Sequence, residues 1–526
     1  LGTAIQRSQA HLLNLQKPDG YWIGELMVDG TLVADMIAYR HWDRSVDRQW
    51  EQKAARHLLS LQLPEGGWNI YHGGPPEVNA TIKAYLALKL AGMPPTDPRL
   101  LKARSVALAL GGVPRMNTYS KLYFALLGLF PWKYVPTIPC EVLLLGKWFH
   151  VNFWEMSSWS RAMLVPLAII NHFKPTRPVD NITLDELYPE GYHERDLRLP
   201  RDPQFFTLRN FFLWLDKLHK FAELWAQAGI HPFRRRALKK CEQWMLERCE
   251  GTDGLGAIFP AMLNSLIAMK ALGYSDDHPQ VQRAEKKLKE LEHESDTSVH
   301  LEPCFSPVWD TAIVTIALAA SGVPANDPRM ERAVEWLLSK EIRFRGDWYH
   351  KNPAPVEPSG WAFEFENQWY PDVDDTAMVL LALRLVPTKN PALRDAAFQR
   401  GLKWMLSFQC RDGGWAAFDK DCTKNVLTKV PFADHNAMLD PECGDITARI
   451  LEVLGHQRFP LDHPQVRRAL EFLRNNQEPD GSWFGRWGVN YIYGTWQVLR
   501  GLRTLGVNMQ EPWLLKARDW FESVQH

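Results

Sequence analysis

Three aspartates, Asp372, Asp374 and Asp375, stand within four residues directly before the apolar run Ala377–Leu383. Three carboxyl groups this close cannot all ionise in an apolar cavity, because desolvation and mutual repulsion favour the protonated form. The apolar run predicts a helix, whose N-terminal dipole would stabilise the carboxylate left after a proton departs. The pattern therefore predicts a strong Brønsted acid. A simple helix cap is the alternative, since Asp is a favoured capping residue.

The elements that must position this acid are repeated. Four segments carry the pattern Gln-x-x-x-Gly-x-Trp, namely Gln16 to Trp22, Gln62 to Trp68, Gln409 to Trp415 and Gln477 to Trp483. We expect degenerate copies at Trp244 to Gly256 and Trp336 to Trp348. Each copy follows a segment with apolar residues at three- and four-residue steps, which predicts an amphipathic helix. Helix pairs of this kind close into α/α barrels or stack into an open solenoid that only binds partners.

A second periodic signal predicts where helices begin. A polar residue precedes proline at Pro98, Pro279, Pro328, Pro391, Pro464 and Pro512. Proline suits the first helical position, because that amide hydrogen has no partner there and the ring presets φ.

Composition narrows the function classes. Lys plus Arg and Asp plus Glu both total 61, so the formal charge is zero and nucleic acid is not expected as a partner. A length of 526 residues exceeds one compact core and predicts two domains or a large barrel. The 23 Trp and 24 Phe are enough to line a cavity, where aromatic faces attract cations.

These motifs resemble those of the squalene-hopene and oxidosqualene cyclases, and the likeness covers nearly the whole chain. Further matching segments are Ser157–Ala162, Ser306–Thr311, Gly360–Phe363 and Trp483–Gly494. An Asp-x-Asp-Asp acid marks the members that protonate a carbon–carbon double bond rather than an epoxide. The resemblance implies a proton-initiated triterpene cyclase that converts squalene to hopene or hopanol through carbocations.

The resemblance also implies an all-α fold of two α/α barrel domains of the α6-α6 type, one inserted in the other. Residues 26–304 would form the inserted domain. Residues 1–25 and 305–526 would form the catalytic domain, with a central cavity between the two.

By the same resemblance, Asp374 donates the proton, while Asp372 and Asp375 share charge and hydrogen bonds with it. Asp445 and Arg449 would support the acid, and Tyr493 would lie near the water chain that reprotonates it. Relatives carry His at the position of Arg449. A permanently charged guanidinium can polarise the acid, but we do not expect it to relay a proton.

The resemblance supplies candidates for the substrate cavity. Its aromatic lining would comprise Trp159, Trp309, Phe363, Phe418 and Trp487. Phe418 stands where some relatives have Tyr. Asp35, Phe259 and Pro260 match the end of the cavity where the reaction terminates, and Phe259 replaces a polar residue there, which leaves the ratio of hopene to hopanol open.

Partners and cofactors follow from similar reasoning. No His, Cys or carboxylate set has convincing metal-ligand spacing, so we expect neither a metal nor a cofactor. The segment Phe205 to Trp225 is rich in large apolar residues but broken by Arg209, Lys217 and Lys220, so it can embed in a membrane without spanning it. The resemblance implies a monotopic protein on the cytoplasmic face of the bacterial inner membrane, and a homodimer.

Three other functions remain open at this point. Class II diterpene cyclases, which act on a polyprenyl diphosphate, share the acid motif. A non-enzymatic helical-repeat scaffold would explain the repeats alone. An inverting glycosidase also uses an α/α barrel, but it needs carboxyl groups about 6.5–9.5 Å apart, which disagrees with three acids in one tetrapeptide.

The last helix also raises an expectation about chain length. Pro512 to Gln525 reproduces the interval from Pro464 to Gln477 without the following Gly and Trp. We therefore expect the natural protein to continue by two further repeats, and to begin before Leu1.

Overall fold

The computed structural model describes residues 2–191, 193, 197–227, 233–431 and 437–525. Helices dominate this part of the chain, as the repeats predict. The α-helices are α1 Gly2–Leu15, α2 Thr31–Asp43, α3 Arg48–Ser60, α4 Val78–Leu90, α5 Pro98–Ala109, α6 Thr118–Leu126, α7 Ser158–Phe173, α8 Leu208–Gln227, α9 Arg234–Arg248, α10 Phe259–Ala271, α11 Pro279–Lys289, α12 Pro307–Ala320, α13 Pro328–Ser339, α14 Trp348–Lys351, α15 Val373–Leu383, α16 Pro391–Ser407, α17 Gly444–His456, α18 Pro464–Asn475, α19 Tyr491–Leu505 and α20 Pro512–Ser523. Two short strands, β1 Glu292–Glu294 and β2 Val299–Leu301, pair antiparallel. The fold class is all-α.

Inner and outer helices differ in how much of their surface they bury. The inner helices α4 and α17 bury nearly every side chain, because their sequences are apolar almost all round. The outer helix α18 buries only a stripe formed by Val466, Ala469, Phe472 and Leu473. Inner helices pack on one another, with α2 against α4 and α7 against α10 in one group, and α12, α15, α17 and α19 in sequence in the other.

The buried apolar residues form two large cores. One core draws on residues between Val33 and Leu301. The other draws on residues between Val308 and Ala517 and also includes Trp22 from the start of the chain. The chain therefore passes from the second core to the first between residues 22 and 33, and returns between residues 301 and 308.

The Gln-Gly-Trp turns share one geometry, which explains their spacing. In each, the Gln Nε2 donates to the carbonyl of the motif glycine and to the carbonyl of the residue after a helix-starting proline. Each Trp Nε1 donates to the carbonyl ten residues earlier. The carbonyls reached in a second helix are those of Arg329, Arg99, Gln465 and Trp513, at 2.8–3.0 Å. The turns thus tie α1 to α13, α3 to α5, α16 to α18 and α18 to α20.

The glycine of the motif has no substitute. Gly413 has φ near +101°, and a Cβ added there would lie 2.4 Å from the carbonyl oxygen of Arg468. Backbone in this left-handed region and at this distance admits only glycine. The six prolines predicted to begin helices all occupy the first position of α5, α11, α13, α16, α18 and α20.

The predicted degenerate copy at Trp336 to Trp348 is wrong, because the turn lies further along the chain. Trp361 donates its indole Nε1 to Leu337 at 2.7 Å and its backbone amide to Thr376 Oγ1 at 3.1 Å, as the motif tryptophans do. Gly360 has φ near +111°. An insertion that includes α14 separates this turn from its helix, so the spacing in sequence no longer shows it. At the other expected copy, Gly254 keeps the turn with φ near +115°, while Gly256 stands where the tryptophan would be.

Candidate active site

The three aspartates lie where α15 begins, as the apolar run predicts. Asp372 caps the helix by accepting a hydrogen bond from the amide of Asp375 at 2.7 Å, and its own amide donates to Trp361 at 2.9 Å. All three side chains are buried. The capping interpretation therefore holds for Asp372, but it does not explain Asp374.

Asp374 has a partner on the next inner helix. Arg449 of α17 donates from Nη1 to Asp374 Oδ1 and from Nη2 to the hydroxyl of Tyr493 at 2.6 Å. The guanidinium also lies 4.8 Å from the centre of the Trp309 ring on α12. Side chains from α12, α15 and α19 thus converge on the guanidinium that α17 supplies.

The electrostatics keep protons in this cluster. Burial raises the pKa of Asp374, which Arg449 opposes and Asp445 reinforces. Burial and the neighbouring Asp372 raise the pKa of Asp375 well above its usual range, and burial raises the pKa of Asp372 to about 7. Asp372 Oδ2 and Asp375 Oδ1 are buried without a hydrogen-bond partner. A proton shared between these two carboxyl groups supplies the missing donor.

The pairing with Arg449 makes Asp374 the strong acid of the group. Burial disfavours its ionised form, which favours a bound proton before reaction. Once the proton leaves, the guanidinium and the N-terminal dipole of α15 stabilise the carboxylate. The arrangement can therefore donate a proton to a weak base.

Asp445 lies close enough to the acid to raise the pKa of Asp374. It begins α17 and is buried, and its Oδ2 accepts from the amide of Trp487 at 3.2 Å. Asp445 thus connects the acid cluster to the aromatic residues.

The expected aromatic residues meet in two groups. Trp159, Phe418 and Trp487 lie edge to face, with ring centres 5.5–6.1 Å apart. Trp309 and Phe363 lie 6.4 Å apart beside the acid. Trp159 comes from α7 of the first core and the others from the second, so the trio lies where the two cores meet. Each group offers aromatic faces that attract a cation, and Trp487 of the trio is exposed.

The three residues expected at the termination end lie in the first core. Asp35 on α2 is buried and paired with Lys83 of α4 at 2.9 Å. Phe259 is fully buried at the start of α10, with the half-buried Pro260 beside it. Sequence reasoning missed Lys83, although the two lysines of α4, Lys83 and Lys89, inside a mostly apolar helix were a usable signal. Asp35 is therefore an ion-paired carboxylate, not a free one.

A fourth carboxyl group near the acid was also missed. Glu364 lies in the loop between Trp361 and Asp372, and its Oε2 accepts from Asn367 Nδ2 at 3.0 Å. Burial, reinforced by Asp372, raises the pKa of Glu364 to about 8. Glu364 and the exposed Glu366 look alike in sequence, so no signal distinguished the partly buried one.

Residues that could hold a cation lie away from the acid. Within the described residues, ligand atoms close enough to share one ion occur in the group Glu25, His293 and His300 and in the group Cys410, Asp421 and Glu442. Burial disfavours the thiolate of Cys410 by raising its pKa, which weakens the second group as a metal site.

Comparison with known proteins accounts for both halves of the chain. The family model described as the squalene-hopene cyclase N-terminal domain matches residues 5–297, and that of the C-terminal domain matches residues 305–526. The squalene–hopene cyclase of Zymomonas mobilis is 38% identical over 99% of this chain and 80% of its own length. Dammaradiene synthase of Dryopteris crassirhizoma is 38% identical over 100% of this chain and 77% of its own length. The squalene–hopene cyclase of Alicyclobacillus acidocaldarius is 37% identical over 95% of this chain and 78% of its own length.

Proposed function

This chain belongs to the squalene-hopene cyclase family, and from that premise we propose that it cyclises squalene, or a closely similar polyprenyl hydrocarbon, to hopene or hopanol. It is an enzyme of the terpene cyclase class. The observation that carries the proposal is a buried carboxyl group, Asp374, paired with one fixed cation among neighbouring protonated acids.

The first step transfers the Asp374 proton to the terminal double bond of the substrate. The π electron pair forms the new C–H bond and leaves a tertiary carbocation, while the O–H electron pair stays on Asp374. Arg449 stabilises the carboxylate through its existing contact. Because no water or metal has to enter this step, the chain's own residues complete it.

Ring closure then moves positive charge away from the acid. Each neighbouring double bond supplies the electron pair for one new C–C bond and becomes the next cation. Trp309 and Phe363, then Trp159, Phe418 and Trp487, present aromatic faces along this course. Loss of a proton to a base, or capture of water, ends the sequence near Asp35.

Reprotonation needs a group that can titrate. Arg449 stays charged, so it fixes Asp374 and Tyr493 but carries no proton between them. We assign the relay of protons to the Asp372–Asp375 pair, whose raised pKa values favour a shared proton and which solvent water recharges after each turnover.

We also propose the domain boundaries given by the resemblance, with residues 26–304 inserted into a domain formed by residues 1–25 and 305–526. Two observations support this division. Trp22 belongs to the second core, and Gln16 on α1 donates to Arg329 on α13 at 2.8 Å.

Membrane attachment is a further part of the proposal. An exposed aromatic patch lies at the start of α8 and just before it. At least half of the surface of each of its residues is exposed; they are Phe205, Phe206, Phe211 and Trp214. The side chain of Trp225, at the end of the predicted segment, lies outside the described residues. No helix in the described part of the chain is both long and apolar enough to cross a bilayer. We therefore propose monotopic attachment through this patch, at the cytoplasmic face of the bacterial inner membrane.

Product analysis tests the function. The detergent-solubilised protein is incubated separately with squalene and with geranylgeranyl diphosphate, and the extracts are analysed by mass spectrometry. We expect a pentacyclic product from squalene and none from the diphosphate. Cyclisation of the diphosphate alone would contradict the proposal, and a tetracyclic product such as dammaradiene would correct its product. The relatives do not favour a diterpene cyclase or a non-enzymatic scaffold.

A further inference from the structure

The hairpin formed by β1 and β2 presents two histidines side by side. His293 and His300 are cross-strand partners in the antiparallel register, and their ring centres lie 5.2 Å apart. Directly opposed residues in such a pair project from the same face of the hairpin. Two imidazoles therefore share one surface of the chain, 7 residues apart in sequence.

A carboxylate from a distant part of the chain completes the group. Glu25 belongs to the segment that leaves the second core, and its Oε1 lies 2.5 Å from His300 Nε2. One ligand atom from each of Glu25, His293 and His300 lies within 4.8 Å of the others. Zinc bonds of about 2.0–2.2 Å set ligand atoms roughly 3.3–3.6 Å apart, so the Glu25–His300 contact must open slightly, while wider pairs must close in. Side chains exposed by 30–42% have room for that movement.

The surroundings orient the two imidazoles. Glu302 is buried, with Oε1 2.7 Å from His293 Nε2, and its Oε2 accepts from the amide of Leu26 at 3.1 Å. His57 stacks on His300, with ring centres 5.2 Å apart. A carboxylate hydrogen-bonded to a ligating histidine is the usual outer partner of a protein metal site.

We propose that Glu25, His293 and His300 bind one divalent cation of the zinc type. Two imidazole nitrogens and one carboxylate oxygen suit Zn²⁺, whereas Ca²⁺ and Mg²⁺ prefer oxygen ligands alone. The ion has a structural role, because it joins two segments that connect the cores. The segment at Glu25 leads from the second core into the first, and the hairpin beside Glu302 precedes the return to the second core. It lies apart from Asp374 and takes no part in the proposed proton transfer. Sequence spacing gave no sign of the site, because 268 residues separate Glu25 from His293.

Metal titration of the metal-free protein tests the proposal without any substrate. The protein is freed of metal with a chelator, and Zn²⁺ is added with calorimetric detection. Co²⁺ is added in parallel, because its visible absorption reports nitrogen and oxygen ligation. We expect one ion per chain and a higher thermal midpoint with Zn²⁺, since an ion that binds only the native state stabilises it.

Three variants and a control locate the ion. Glu25→Gln and His300→Asn should each weaken Zn²⁺ binding at least tenfold, and Glu302→Gln, which removes the outer partner, by about 10–100-fold. His72→Asn, at an exposed histidine outside the group, should bind as the parent does. Circular dichroism without metal checks that each variant folds. Absence of Zn²⁺ binding to the parent, or unchanged affinity in both Glu25→Gln and His300→Asn, would overturn the site and leave the proposed cyclase function untouched.

Discussion

Two buried carboxylate clusters differ in whether each of their carboxylate oxygens accepts a hydrogen bond. Around Arg161 and Arg248, all four carboxylate oxygens of Asp347 and Asp419 accept hydrogen bonds. In the acid cluster, Asp372 Oδ2 and Asp375 Oδ1 accept none. A fully satisfied buried carboxylate can stay ionised and hold the structure together. A buried carboxyl oxygen that no donor reaches favours the protonated form of its group, so the comparison separates a structural cluster from one that retains protons.

The same contrast appears in where the clusters lie. Arg248 comes from α9 of the first core, Arg161 from α7, and both aspartates from the second half of the chain. This cluster therefore links the two cores. The acid cluster belongs to the second core alone.

The largest effect is expected for Asp374→Asn. The amide keeps the shape of the side chain but has no acidic proton, so turnover of squalene should fall by at least about 100-fold. Product yield under identical conditions measures it, and an unchanged thermal midpoint shows that the fold persists. Turnover at a tenth of the parent rate or more would contradict the assignment of Asp374 as the acid.

Arg161→Met should act on stability instead. Removing this guanidinium leaves Asp419 buried with no cation, which should lower the free energy of unfolding by about 3–5 kcal/mol. Urea denaturation measures the loss. Arg99→Met, which removes an exposed pair with Asp97, is the control and should change little. If Arg161→Met were as stable as the control, the cluster would not hold the cores together.

Arg449→Leu should slow the reaction less than Asp374→Asn does. Without the guanidinium the pKa of Asp374 rises further, so the acid keeps its proton but donates it less readily. A weaker acid protonates the double bond more slowly, so we expect a rate about 10–100-fold lower. Arg449→Lys retains the charge and should recover part of the rate. An unchanged rate and pH profile in Arg449→Leu would mean that this residue only packs.

Glu364→Gln should change turnover least, and its effect should be visible as a pH dependence of stability. The pKa of Glu364 is about 8 in the folded protein against an ordinary value of 4.5. Between these values the native state binds the extra proton, so the free energy of unfolding falls as pH rises through this window. Glu364→Gln should make that fall shallower in urea denaturation at pH 5 and pH 8. Glu366→Gln, at an exposed neighbour, should reproduce the parent; equal slopes in all three would show that Glu364 ionises normally.

Local features of the fold could be predicted from sequence because they are encoded locally. The Gln-Gly-Trp turns and the helix-starting prolines each need a fixed residue at a fixed position, so they are visible in the chain itself. The turn at Trp361 escaped because an insertion separates it from Leu337. The helix at Val373 and its Asp372 cap follow from the same kind of local rule.

The partners of the site residues were harder to predict. Asp35 and Lys83 are 48 residues apart, and Asp374 and Arg449 are 75 apart, so only the packing of inner helices brings each pair together. The resemblance pointed to Arg449 but gave no reason to expect Lys83. Every neighbouring helix affects which carboxyl oxygens lack a hydrogen-bond donor. The tetrapeptide alone therefore does not predict which groups retain protons.

Cyclisation in deuterium oxide tests the central claim most directly. The protein is equilibrated in D₂O and incubated with unlabelled squalene. The mass of the hydrocarbon product is then measured by mass spectrometry. If Asp374 delivers a solvent-exchangeable proton to the double bond, each product molecule carries one deuterium in a position that does not exchange, and Asp374→Asn gives no labelled product. Cyclised product without deuterium, or equal labelled yield from Asp374→Asn, would contradict the account.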